Sequence, residues 1–421
     1  MPQQTEKEIK LSRMLEYLEA DPENIHLLLT IADLEMEFGL IDQAEVYYQR
    51  VITLDSNHGI AIARLSGVRI AQERYKEAEA LLRSLVNAGV NEPPVLHNLG
   101  MAQLHQGNWE AAFNSLKAAE DAGLADPYNL NMQAFCLHQL GRIKEALEAA
   151  YRAIDLGDLS HRGYVALLHF DAAETTAAKQ MAEQVLRENP DDVDANVVVS
   201  SCLLESQRMT EAEILIERAL KALPHSPRAL LNKALLHMYR TEFPEAIASF
   251  QKILELAPNS PGIRVWLGWA YLTNDELVAA EQSFLESVEF NGAFAESHGG
   301  LATVYALTGR HDEARDAARR ARRLNPEGFG AAFASAILLE AGGKRQKSRE
   351  LVDSVLSRRI RDDTPTLMGA IEEFARLEMV RETPAGEAIR SLQKMHTARK
   401  ASARQFSANG PHRSSNIKIR K

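Results

Sequence analysis

The chain has 421 residues, 45% hydrophobic, 6% aromatic and 25% charged, with a formal net charge of −10. No apolar run is long enough to span a bilayer, which excludes a bundle of membrane-spanning helices, and residues 1–10 are polar, without the apolar core of a secretory signal. The two cysteines, Cys136 and Cys202, are too few for a disulfide framework or a metal-ligand cluster, so a reducing, cytoplasmic setting is expected. Charge is segregated along the chain. Residues 1–309 carry 24 Lys and Arg against 44 Asp and Glu, a net of −20; residues 310–421 carry 24 against 14, a net of +10.

Residues 5–22 predict one helix ending at Asp21-Pro22, a half-unit within an N-terminal segment 1–24. From there small residues recur every 34 positions: Ala44, Ala78, Ala112 and Ala146, then Ala178, Ala212, Ala246, Ala280 and Ala314 after a two-residue slip. Ala32, Ser66, Gly100 and Ala134, followed by Ala166, Ser200, Ala234, Gly268, Ala302 and Ala336, repeat that phase with the same slip. A period of this length marks stacked supersecondary units, each of which cannot bury its apolar faces alone. The phase divides 25–362 into ten units: 25–58, 59–92, 93–126, 127–158, 159–192, 193–226, 227–260, 261–294, 295–328 and 329–362.

Residues 93–126 show the unit. Leu96, Leu99 and Leu104 lie along one helix with Gly100 between them, and Gly107-Asn108 breaks it. Trp109, Ala112, Phe113, Leu116 and Ala119 mark a second amphipathic helix at spacings of three and four. Gly100 and Ala112 are placed where the two helices cross, so a larger side chain there would hold the backbones apart. Gly39, Gly107, Gly141 and Gly309 stand at the turn, where a left-handed residue ends the first helix. Glu73, Gln207, Thr241 and Asp275 take that place in other units. Pro22, Pro190, Pro224, Pro258 and Pro326 stop the second helix. Beyond 362 the period ends. Two further helices within 363–400, carrying Leu367, Ile371, Phe374 and Leu377, then Ala388, Ile389, Leu392 and Met395, are expected to cap the last repeat, and 401–421 is expected to be a disordered basic tail.

The pattern of Leu99-Gly100, Gly107, Ala112 and a terminal proline resembles the tetratricopeptide repeat, as do Leu267-Gly268, Tyr271, Ala280 and Phe284, and Leu301, Tyr305, Gly309, Ala314, Ala321 and Pro326. The family's early tryptophan is absent; Trp266 is displaced by two positions. The resemblance implies an all-α, right-handed superhelical solenoid whose first helices line a concave groove. Carried over to this chain, the groove positions are Leu29 and Met36; His97, Met101 and Leu104; Tyr128, Asn131, Phe135 and His138; Phe170; Leu204; Leu235 and Met238; Trp269 and Leu272. Family members that clamp a C-terminal carboxylate place Lys, Arg and Asn there in consecutive repeats, whereas here only Asn131 and Arg228 appear, three repeats apart. A mostly apolar, Met-bearing groove suits a peptide or amphipathic helix of a partner protein. It could also take the chain's own tail or a second copy in a homodimer. The family further implies a scaffold, adaptor, chaperone or assembly role.

No catalytic or cofactor motif is present. There is no His-Glu-x-x-His and no Gly-x-Ser-x-Gly, and Gly342-Gly343-Lys344 lacks the rest of a phosphate loop. Asp192-x-Asp194-x-Asn196 imitates a calcium loop but has Val197 at the sixth place, where such loops need glycine. Thus no enzyme activity, cofactor, metal or small-molecule substrate is expected, and an arm regulating a separately encoded enzyme is a third role. His97 and His138 are placed where they could face each other across units, but dispersed histidines of this kind read as satisfied or solvated side chains and not as metal ligands. Arg319, Arg320 and Arg323, Lys344, Arg345 and Lys347, and Arg399, Lys400 and Arg404 form a basic end, read as contact with an anionic surface (membrane, nucleic acid or acidic protein) or as a solvated face.

Overall fold

A computed structural model describes residues 2–326 and 328–356, with side chains placed from Glu8 to Leu351 except at positions 327 and 329. The expected caps in 363–400 and tail in 401–421, with Arg399, Lys400 and Arg404, lie outside the described residues. The described residues hold helices and no strand. Helix α1 (Pro2–Ala20) precedes ten helix pairs. They are α2 (Ile25–Glu37) with α3 (Ile41–Leu54), α4 (Gly59–Ala71) with α5 (Tyr75–Asn87), α6 (Pro93–His105) with α7 (Trp109–Asp121), α8 (Pro127–Gln139) with α9 (Ile143–Asp155), and α10 (Arg162–Asp171) with α11 (Thr175–Glu188). Then come α12 (Val193–Glu205) with α13 (Met209–Ala222), α14 (Pro227–Tyr239) with α15 (Phe243–Leu256), α16 (Pro261–Thr273) with α17 (Leu277–Phe290), α18 (Ala295–Leu307) with α19 (His311–Leu324), and α20 (Phe329–Ala341) with α21 (Arg345–Leu356). They form two compact bodies that meet in sequence at residues 181 and 182, inside α11.

Local chemistry sets the helix ends. Asn24, Asp126, Asp192 and Ser226 each accept a hydrogen bond from the backbone N–H three residues on, at 3.1, 2.8, 2.9 and 3.3 Å, satisfying a donor that the first helical turn leaves open. Pro93, Pro127, Pro227 and Pro261 occupy the first helical position, where proline's fixed φ favours the helix and its missing N–H costs nothing. Proline therefore opens first helices as well as following second ones. All ten intra-repeat turns place one residue in the left-handed region. Gly39, Gly107, Gly141, Gly309 and Gly343 do so at φ +71° to +76°, and Glu73, Ala173, Gln207, Thr241 and Asp275 at +59° to +66°. The turn conformation is imposed by the pairing of the helices even where no glycine eases it.

The nine alanines of the second helices, Ala44 through Ala314, are all fully buried. The small residues of the first helices face large ones across the crossing. Phe284 on α17 is fully buried between α16 and α18. A Cβ on Gly268 would come within 2.7 Å of its ring, and one on Gly300 within 2.2 Å. Arginines just before second helices add a recurrent clip. Arg74 pairs with Glu77 and with Glu45 of the preceding repeat at 2.7 and 3.4 Å, and Arg310 with Glu313 and Glu281 at 2.7 and 2.8 Å. Arg142 repeats the arrangement with Glu145 and Glu110.

Two stability outcomes follow from this packing. Gly300→Ala lowers the thermal midpoint, the overpacking costing about 1–3 kcal/mol, whereas Gly67→Ala in α4, where a Cβ meets nothing within 4 Å, raises it by about 1 kcal/mol of helix propensity. Thr241→Gly relieves a β-branched residue at φ +66° and stabilises by about 0.5–1 kcal/mol, the left-handed penalty exceeding the added unfolded-state entropy. Circular-dichroism melts of the variants check both; a stabilised Gly300→Ala would refute the crossing argument.

Candidate partner-binding surface

In the amino-terminal body, positions 26, 60, 94 and 128 occupy one register of successive first helices, 34 residues apart, and all four are exposed. They are His26, Ile60, Pro94 and Tyr128, with Ile60 61% and Tyr128 52% accessible. One and two helical turns beyond Pro94, His97 and Met101 are half-buried. The His97 and Tyr128 rings are 5.6 Å apart, the Tyr128 hydroxyl lies 4.0 Å from the Met101 sulfur, and His97 Nδ1 is 3.0 Å from Asn129 Oδ1. Phe135, also half-buried, packs its ring edgewise against Trp109 at 5.8 Å. These side chains make an apolar strip across α4, α6 and α8, with imidazole and hydroxyl groups along it.

The other expected positions in this body are anchored in packing. Leu29 and Met36 lie half-buried against the core of the first two repeats. Leu104 is buried with Ala112, Leu116 and Cys136. Asn131 is buried and donates through Nδ2 to Asp158 at 2.8 Å, while its Oδ1 has no hydrogen-bond partner among the described residues. His138 is engaged by the following repeat. Its Nδ1 is 2.9 Å from the Tyr164 hydroxyl and its Nε2 2.7 Å from Asp171, so it ties α8 to α10. Phe170 is half-buried near the end of α10.

In the carboxyl-terminal body the expected positions serve the core. Leu204 and Met238 are buried, Trp269 is 9% accessible, and Leu235 and Leu272 are half-buried against core clusters. Trp269 meets Phe284 edge-on at 5.7 Å and Phe333 at 6.5 Å. The register of Ile60 and Tyr128 holds Asp194, Arg228, Gly262 and Glu296 there, so the exposed apolar strip belongs to the amino-terminal body. Ile60 and Pro94 were absent from the sequence-derived set. The 34-residue register that contains His26 and Tyr128 was the signal that points to them.

The described basic residues, Arg319, Arg320 and Arg323 on α19 and Lys344, Arg345 and Lys347 at α21, are all exposed. Among the described residues no group of three or more His, Cys, Asp or Glu side chains is placed to hold a metal ion, and no helix is long and apolar enough to cross a membrane.

Tetratricopeptide repeat models match residues 36–104 and 169–236, 97–160 and 231–297, and 295–320. The chain belongs to the tetratricopeptide repeat family. It is 22% identical over 160 residues to anaphase-promoting complex subunit 3 of Schizosaccharomyces pombe, taking in 38% of this chain and 24% of that protein. It is 24% identical over 298 residues to cellulose synthase operon protein C of Komagataeibacter xylinus, taking in 61% of this chain and 23% of that protein. The chain thus spans about a quarter of the length of these relatives. The crystal structure of yeast Tom70 is similar at a TM-score of 0.37 and 13% identity, over 93% of this chain and 96% of that one.

The third and fourth tetratricopeptide repeats are tied by a buried carboxylate. Glu120 on α7 receives Gln133 of α8 at 3.0 Å and Lys117 at 3.1 Å, and pairs with Arg152 of α9. Burial alone would raise its pKa, but the bonds from Arg152, Gln133 and Lys117 outweigh it and hold the group at about 2. A depressed folded pKa adds stability above the unfolded value, near 4.5, and that stability is lost as pH falls toward 2. Glu120→Gln is therefore expected to cost on the order of 2–3 kcal/mol at neutral pH, with variant and parent converging as pH drops from about 4.5 to about 2. Urea titrations across that range measure the difference; a pH-independent gap would remove the ionic contribution.

Proposed function

We propose that the strip carrying Ile60, His97, Met101, Tyr128 and Phe135 docks an amphipathic helix or an extended apolar segment of a partner protein. Tetratricopeptide repeat proteins mediate protein–protein interactions, and the reading here is a non-catalytic scaffold or adaptor, acting in assembly or as a chaperone in the cytoplasm. The observation that carries it is the exposure of Ile60 and Tyr128 in one register, two repeats apart, with the half-buried His97 and Met101 beside it. Large apolar side chains held in water at repeat spacing gain by being covered, each contributing about 1.5–3 kcal/mol on full burial. Methionine and aromatic groups can adapt to an irregular partner face. The name of one relative, anaphase-promoting complex subunit 3, describes a member of a multiprotein complex, in keeping with this reading.

The test uses a partner identified by affinity capture and mass spectrometry. Ile60→Asp with Tyr128→Asp is expected to weaken binding of that purified partner at least tenfold, about 1.4 kcal/mol, at unchanged helicity. Val278→Asp, at an exposed apolar site on α17, leaves it unaltered. Equal affinity of the double variant and the parent would discard the strip as the docking face. Trp269 is unsuitable as a probe because its burial confuses binding with folding.

A further inference from the structure

The charge segregation along the chain has a structural counterpart at two helices. On α19 and at the start of α21, Arg320, Arg323, Lys344, Arg345 and Lys347 are exposed and have no ion-pair partner among the described residues, whereas Arg315 and Arg319 are held by Asp312 and Asp316 within α19. Leu324, 45% accessible, is a large apolar side chain exposed among these cations. Helix α1 presents the complementary pattern. It packs on the next helices through Leu11, Met14, Leu15 and Leu18. Its other side carries exposed Glu8, Ile9, Lys10, Arg13, Glu16 and Tyr17, and the stretch from Glu16 on is acidic, continuing through Glu19, Asp21 and Glu23. Tyr17 is 56% accessible within this acidic run.

We propose that the basic residues of α19 and α21 dock on the acidic stretch Glu16 to Glu23, at the end of α1, of a second copy of this chain, a head-to-tail contact. The two faces match in sign, and each sets an exposed apolar side chain, Leu324 or Tyr17, among its charges. They also carry opposite exceptions: the strip retains Asp312 and Asp316, and α1 retains Lys10 and Arg13. A protein surface of mixed charge tolerates the two acids, whereas a row of phosphates is repelled by them. Nucleic acid is further disfavoured because neither α19 nor α21 carries an aromatic side chain on which bases could stack. A membrane would find Leu324 as the only exposed large apolar side chain among the described residues of α19. Because the contact joins two different faces, it is heterologous and builds rings or open chains rather than a closed two-fold dimer. Complementary charge gives it specificity and a fast, salt-sensitive encounter.

The full chain is examined by sedimentation velocity over a range of concentrations at about 0.05 M and about 1 M salt, where the Debye length falls to about 3 Å. Mass is expected to rise with concentration at low salt, with association at least tenfold weaker at high salt. One variant carries R320E, R323E and K347E; the other carries E16K, E19K and E23K. Each alone presents like charges on both faces and is expected to remain monomeric, with its circular-dichroism spectrum unchanged. Mixing the two restores complementary faces and is expected to restore association. A parent that is monomeric at all concentrations overturns the proposal. So do variants that associate as the parent does, a mixture that fails to associate, or a monomeric parent whose arginines instead bind vesicles containing phosphatidylserine.

Discussion

The structure depends on how closely the two helices of each repeat can approach. At the crossing one partner must be small, because a large side chain on both sides would separate the backbones and open a gap along the stack. The pairing is one of complementary volume, as close-packed interiors require. Ala32 and Ala44 are buried in one cluster with the fully buried Tyr48, Gly100 faces Leu116, and Gly268 and Gly300 flank Phe284. At Phe284, whose ring lies against both neighbouring first helices, glycine stands at both contacts because a Cβ there would clash. The 34-residue phase is this constraint written repeatedly along the chain.

Once the crossings are made, they dictate geometry that local preference opposes. Five turns place a residue other than glycine at positive φ, Thr241 among them, because the second helix must return against the first within three residues. The residue that follows each turn precedes the second helix, and at Arg74, Arg142 and Arg310 its guanidinium reaches both its own repeat and the previous one. These clips are largely exposed, and such pairs contribute little singly. Their recurrence follows from placement by the turn. Glu120 differs in being buried. It gathers donors from three helices, so that its ionisation is linked to the joining of two repeats.

First-helix side chains at different registers meet different surroundings in the two bodies. In the carboxyl-terminal one, Trp269 and Met238 are drawn into clusters with Phe284, Phe333 and Phe250, because bulky aromatic residues on the second helices and following repeats reach them. In the amino-terminal one Met101 and Phe135, the counterparts of Trp269, are only half-buried, and Ile60 and Tyr128 at another register are exposed. Among the described residues, the amino-terminal body exposes Ile60 and Tyr128, and the carboxyl-terminal body exposes Arg320, Arg323 and Lys347.

Much of the architecture was legible in the linear chain. Periodic small residues report helix crossings directly, since backbone approach is a local steric condition repeated in phase. The ten turns, the helix class and the family all follow from Ala44, Gly100, Gly107 and their counterparts. The surface was legible only in part. Tyr128, His97, Met101 and Phe135 could be placed by register, yet Ile60 and Pro94 were passed over, and Leu104, Asn131, Leu204, Met238 and Trp269 lie buried. Nor did spacing reveal that His138 binds Tyr164 and Asp171. Register assigns a side chain to a face of its own helix, a property of one segment. Whether that face meets water or another side chain depends on the volume and reach of residues 20 to 70 positions away, and only the packed chain resolves that.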